Sequence, residues 1–334
     1  MQNIRYEHHG SLAHITINRP DKLNALNRRT LLEIEEAVAM AMSDAAVHAV
    51  ILTGSGDKAF AAGADVAEFA HYTANEARDL SAAGHRIMDS IATAPKPVLA
   101  AINGFALGGG LELAMACHLR VAVPAARLGQ PEVNLGLIPG YGGTQRLVEW
   151  VGRARALEML MSGDPIDAAT ALQWGLVNRI SATPESLLED STALLNRILQ
   201  RGPIAVSHCI RLSALAAQGD PDGYLQEIET FGSLFQQPES CEGIGAFLEK
   251  RKAAFRSSEP RHCCPPCSRT MGDARSPVAS MAVAAFPSRP RLLSAPRGCR
   301  IPIASPLALR APPSLRAPRF PASRAQKLKK QPFC

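Results

Sequence analysis

Over its first hundred residues the chain alternates short β-rich runs with longer helical patterns, and no other feature narrows its fold as far. Residues 4–8 and 12–18 alternate well enough for two strands, with a His9-Gly-Ser11 turn between them. Residues 28–43 carry apolar side chains at helical spacing (Leu31, Leu32, Ile34, Val38), and residues 49–53 form a short β-rich run closed by Gly54-Ser-Gly56. Residues 74–92 read as a helix, which Pro95-Lys-Pro97 ends before a strand at 98–102. This alternation predicts an α/β fold with buried strands. Beyond Gly142 the pattern is mainly helical, over 143–151, 154–161, 168–174, 185–200, 205–217, 224–235 and 239–252, with one short strand expected at 176–180. No short-period repeat is evident, which argues against a solenoid.

Charge divides the chain in two. Residues 259–334 hold 14 Lys/Arg and 2 Asp/Glu, whereas residues 1–258 hold 22 and 28, so a mildly acidic body precedes a strongly basic tail. Of 25 prolines, 14 fall in that tail. Within the body Cys117, Cys209 and Cys241 are widely spaced in apolar, helix-like stretches. They read as reduced thiols of an intracellular protein. The opening MQNIRYEHH is polar, unlike a secretory leader, and no apolar run reaches the ~18–20 residues of a membrane span. A soluble, cytoplasmic body with no membrane partner is the expectation.

Two glutamates stand behind glycine-marked turns. Glu112 lies in NGFALGGGLELAMAC (103–117), and Glu132 in GQPEVNLGLIPGYGGTQR (129–146). In the first segment three glycines lead into an apolar run spaced like a helix. That arrangement leaves backbone N–H groups free at a helix N-terminus with a carboxylate in the same first turn. Such a site can hold a developing oxyanion beside a general acid or base. For either glutamate alone, a helix-start preference or a solvated loop explains the residue equally well. A phosphate loop is disfavoured because no Gly-Lys-Ser/Thr follows, and a dinucleotide fold because G-x-G-x-x-G after a strand is absent.

Taken together with KAFAAGADVAE (58–68), these segments resemble the three signature blocks of the enoyl-CoA hydratase/isomerase (crotonase) superfamily, in the same order and at similar spacing. INRP (17–20), NAL (24–26), AATALQWGLV (168–177) and FLEKRKAAF (247–255) extend the likeness from about Ile4 to Arg256. The resemblance implies a spiral of ββα turns over residues 1–190, carrying the CoA and oxyanion site. It implies a C-terminal helical region over 191–258 that covers the active site and builds a homotrimer or hexamer. It further implies hydration of trans-2-enoyl-CoA to 3-hydroxyacyl-CoA, with the amides of Ala64 and Gly109 as oxyanion hole, Glu112 activating water and Glu132 protonating C2. Adding water at C3 drives charge onto the thioester oxygen, which is why such donors should dominate the electrostatics. A proton-passing carboxyl pair needs no metal, and no cofactor is expected beyond the coenzyme A of the substrate.

By the same resemblance residues 62–67 contact CoA, with Ala62 near the adenine, Asp65 supporting the loop, and Val66 and Ala67 beside it. Leu26 flanks the pantetheine, while Phe247 and Lys250 reach CoA in an adjacent subunit. The charges around Lys250 also suit a plain solvated helix face. Two positions depart from the family pattern: His118 replaces the usual Asp and reads as structural, and Tyr141 replaces a commoner small residue. Tyr141 suits either a wall of the acyl pocket or a surface turn.

The Arg/Pro-rich tail, 259–334, lacks periodicity and begins where the family normally stops, so it is expected to be disordered and is read as an out-of-frame extension. Its rival readings are a nucleic-acid tail or a membrane tether. The C-x-x-C within His262-Cys-Cys-Pro-Pro-Cys267 lacks a second ligand pair, so zinc is not expected. The functional rivals are double-bond isomerisation and an RNA-binding protein on the same body.

Overall fold

The computed structural model describes residues 1–256; the tail and its C-x-x-C lie outside the described residues. Strands β1 (Ile4–His9) and β2 (Leu12–Ile17) form an antiparallel hairpin in which Ile4 faces Ile17. Helix α1 (Arg28–Ser43) follows, started by the Asn27 side chain accepting the Thr30 N–H. The chain then winds as a coil. Strand β3 (Ala49–Gly54) is followed by β4 (Ala59–Ala61), the short α2 (Val66–Phe69) and α3 (Ala74–Ala92). Strand β5 (Val98–Ile102) is followed by β6 (Phe105–Leu107) and α4 (Gly109–Ala116), and β7 (Leu119–Ala122) by β8 (Arg127–Gly129).

Each turn of the coil gives one strand to each of two sheets. The larger sheet runs β1-β2-β3-β5-β7 and ends on β10 (Arg179–Ile180). From β2 onward its neighbours are parallel. The smaller sheet runs β4-β6-β8, all parallel, and ends on the antiparallel β9 (Ile166–Asp167). Every residue of β3 and β5 is buried, as expected for parallel strands covered on both faces. The anticipated spiral of ββα turns is therefore present.

The remaining helices are α5 (Gly143–Val151), α6 (Arg153–Ser162), α7 (Ala168–Trp174), α8 (Leu187–Leu199), α9 (Pro203–Ala217), α10 (Gly223–Leu234) and α11 (Pro238–Leu248). Residue 190 falls inside α8, which packs on β3, β5 and β7. Two expectations are corrected. The strand predicted at 176–180 shrinks to Arg179–Ile180 because the Leu176 and Val177 amides cap α7 by donating to the Ala171 carbonyl. The helix predicted at 239–252 ends at Leu248, and Lys250 follows in a left-handed conformation, φ +55°. Among the described residues no helix is long and apolar enough to cross a membrane.

Candidate active site

The three parallel strands of the smaller sheet deliver the site from their C-terminal ends, the usual location in parallel sheets. Ala64 lies three residues beyond β4, Gly109 two beyond β6, and Glu132 three beyond β8. The Gly108 N–H donates to the Gly129 carbonyl at 2.9 Å, locking the tips of β6 and β8 together. Gly108 then turns the chain into α4 at φ +49°, and a Cβ there would sit 2.8 Å from a Glu132 carboxylate oxygen. At Gly110 a Cβ would sit 2.0 Å from the Ala61 carbonyl, so α4 can lie against β4 only with glycine at that position.

Two backbone amides at these strand tips are left outside the regular hydrogen bonding. Gly109 is the first residue of α4, so its N–H has no partner in the helical ladder. Leu26 and Ala64 form a parallel bridge that uses the Gly63 carbonyl and the Asp65 N–H, which leaves the Ala64 amide outside it. A Cβ placed on Gly109 would lie 3.6 Å from the Ala64 nitrogen, so the two amides sit side by side. The Ala62 N–H donates to Leu23, and Asp65 pairs with Arg19 at 2.9 Å, which fastens residues 62–65 to the chain before α1. Leu26 is itself buried, so it meets the loop through its backbone. Val66 and Ala67 are exposed on α2. Phe247 is exposed on α11 and Lys250 lies just beyond it; among the described residues no hydrogen bond or ion pair joins either to this cluster.

Glu112 is 1% exposed, and its Oε1 accepts the Tyr141 and Gly143 N–H groups, each at 2.7 Å. Burial pushes its pKa up to about 7 against the pull of these two amides, and the nearby Glu132 charge adds to the rise. Glu132 sits in a 3-10 turn, Pro131–Leu135, and burial raises its pKa also. With its amide nitrogen turned toward Glu132, Gln130 donates to both carboxylate oxygens at 2.9 and 3.0 Å. Gln130 is 1% exposed and was not anticipated: one polar residue in a turn carries no sequence signal until its burial is known.

The two departures resolve differently. His118 Nδ1 accepts the Val98 N–H at 3.0 Å while Nε2 lies 3.3 Å from the Ala92 carbonyl. Burial drives its pKa down to about 4, so a neutral ring ties α3 and β5 to the end of α4. Tyr141 is buried rather than on the surface. Among the described residues no group of three or more His, Cys, Asp or Glu side chains is placed to hold a metal ion.

The sequence model of the enoyl-CoA hydratase/isomerase family matches residues 7–258, a span that contains every site residue above. The chain belongs to that family. It is 48% identical over 261 residues to a crotonyl-CoA hydratase of Syntrophomonas wolfei, covering 77% of this chain and 98% of the relative. To a short-chain-enoyl-CoA hydratase of Clostridium acetobutylicum it is 42% identical over 253 residues, covering 75% and 97%. The solved structure of an enoyl-CoA hydratase from Bacillus anthracis superposes with a TM-score of 0.72 at 35% identity, covering 76% of this chain and 99% of that one. The α/β coil with its two sheets is thus the crotonase fold.

Proposed function

We propose that this member of the family is an enoyl-CoA hydratase that adds water reversibly to trans-2-enoyl-CoA. The observation that carries the reading is a pair of carboxyl groups, both with raised pKa, close to the neighbouring backbone amides of Ala64 and Gly109. The thioester oxygen lies between the Ala64 and Gly109 amides. The pair shares one proton, and in the form that holds it on Glu132 the ionised Glu112 takes one proton from a water molecule as its hydroxyl bonds to C3. The electron pair of the C2–C3 double bond moves onto the thioester oxygen, where the two donors stabilise it. Protonated Glu132 then gives its proton to C2 and the thioester carbonyl re-forms. One proton has left Glu132 and one has reached Glu112, so a transfer between them restores the starting state. The name of the Syntrophomonas relative supports crotonyl-CoA as a substrate, and that of the Clostridium relative a short-chain enoyl-CoA.

Coenzyme A runs along residues 62–67 in this reading, with Val66 and Ala67 beside it and Phe247 and Lys250 reaching it from a neighbouring subunit. Support for a homotrimer, or two trimers paired, comes from α10 and its end. There Tyr224, Leu225, Ile228, Phe231 and Phe235 are all more than half exposed in the single chain, a stripe too apolar to leave in water. Sedimentation should give three or six subunits, and a stable monomer would rule this assembly out.

Crotonyl-CoA should lose its conjugated thioester absorbance on mixing with the enzyme and yield 3-hydroxybutyryl-CoA. Retention of Glu132, held by Gln130, favours hydration over double-bond isomerisation, for which one carboxyl suffices. If 3-enoyl-CoA gained absorbance while crotonyl-CoA stayed unchanged, the isomerase reading would replace this one. The RNA-binding alternative rests on the tail, outside the described residues.

A further inference from the structure

Tyr141 contributes its backbone N–H to Glu112, but its ring has no part in the chemistry above. One edge of the ring lies 3.2–3.3 Å from where a Cβ on Gly109 would be. The opposite edge occupies the place of a side chain at residue 84: a Cβ on Gly84 would fall 2.0 Å from Tyr141 Cδ1. Gly84 is in the middle of α3, where glycine is disfavoured, and the recess it leaves fits this ring. Tyr141 therefore bridges the first turn of α4 to α3 and is only 5% exposed.

The direction of a bound substrate follows from the site. The thioester oxygen is fixed at Ala64 and Gly109, and CoA departs along residues 62–67. Glu112 works at C3 with its carboxylate bonded to the Tyr141 N–H. Carbons beyond C3 thus emerge on the side where the Tyr141 ring stands. Open volume lies to either side of the Gly84 contact. A cavity of about 420 Å³ is lined by Leu80, Ala83 and Ile87, and one of about 660 Å³ by His85, Met115 and Gly142. Ala83 and His85, the neighbours of Gly84, line one cavity each, and the Tyr141 ring is seated on Gly84 between those two positions.

We infer that Tyr141, seated on Gly84, is the wall at the acyl end of the site and confines the enzyme to short 2-enoyl groups. This rests on the hydratase reading and adds to it the residue that sets chain length. The test is kcat/KM for 2-enoyl-CoA thioesters of four, six, eight and ten carbons with wild type, Tyr141→Ala and Tyr141→Phe. Wild type should fall at least tenfold from four to eight carbons, in the range that a hydrophobic pocket discriminates. Tyr141→Ala should reduce that ratio about tenfold or more, and Tyr141→Phe should leave it as in wild type because the ring remains. A ratio does not depend on the fraction of active protein, and Tyr141→Leu takes the place of the Ala variant if that one does not fold. Equal wild-type use of four and eight carbons, or a ratio untouched by truncation, overturns the inference and leaves the hydratase standing. No hydration at any length removes both.

Discussion

Glu112→Gln is expected to lower kcat for crotonyl-CoA by about 10²–10⁴-fold, the usual contribution of a general acid or base, while making the folded protein harder to unfold at pH 8. The two effects have one cause. In the folded protein the Glu112 pKa stands at about 7, against 4.5 for the free side chain. The folded state thus binds this proton more tightly than the unfolded state, and stability falls as pH rises from about 4.5 to about 7, then levels off. The full shift corresponds to roughly 3 kcal/mol at most. Glutamine avoids that cost and its amide oxygen still accepts the Tyr141 and Gly143 N–H groups. Melting curves of both proteins should nearly coincide at pH 5 and separate by pH 8, the variant being the more stable. Wild-type kcat/KM should be bell-shaped in pH, rising as the carboxyl pair loses its first proton and falling through about pH 7 as it loses the second, because close carboxyls titrate together and only the singly protonated pair holds both a base and an acid. Curves separated by the same amount at every pH would show that Glu112 is not a buried, uncompensated acid.

Gly143→Ala should be nearly as damaging to catalysis although it adds only a methyl group. Its Cβ would lie 3.0 Å from Glu112 Oε1, 2.7 Å from the side-chain amide of Gln130 and 2.7 Å from Pro139 Cβ. The methyl therefore presses on Glu112 directly and on Glu132 through Gln130, displacing both carboxyl groups. A misplacement of about 1 Å can cost ~10²-fold in rate, and overpacking of this kind typically costs about 1–3 kcal/mol of stability. The expected result is kcat down by about 10²-fold or more, with KM close to wild type because residues 62–67 are not disturbed. Gly140→Ala in the same turn is the comparison, since a methyl there meets nothing within 4 Å. Equal kcat for the two variants would mean that Gly143 does not set the position of the glutamates.

What the sequence revealed depended on the length of each element. Helices α1, α3, α5 and α7 and strand β5 fall where the sequence pattern predicts them, because each is at least five residues long and leaves a readable pattern. Strands β4, β6 and β8 have three residues each, too few for any alternation to show, although they carry the whole site. The glutamates and the glycines were visible through their motifs, while the sheet that aligns them was not. Gln130 stayed hidden because its role exists only once the turn is buried. Tyr141 was visible as a departure, but its partner Gly84 lies 57 positions earlier in the chain and only the packing joins them. The end of α11 was misjudged because the charged run after Leu248 keeps a helical composition. There Arg251 is instead drawn to Glu242 at 2.6 Å across the helix end.

The pairing of β4, β6 and β8 has a consequence for what else such a frame could catalyse. Adjacent strands repeat at about 4.8 Å, so the sheet works as a ruler whose marks carry, in order, the Ala64 amide, the Gly109 amide with the buried Glu112, and Glu132. Backbone pairing sets the interval, and no loop has to be repacked to keep it. Rewriting the tip of one strand would exchange one chemical function and leave the other two on their marks. A single stabilised enolate could then be reached from different substrates and resolved in different ways, with the choice resting on a handful of residues after Gly129.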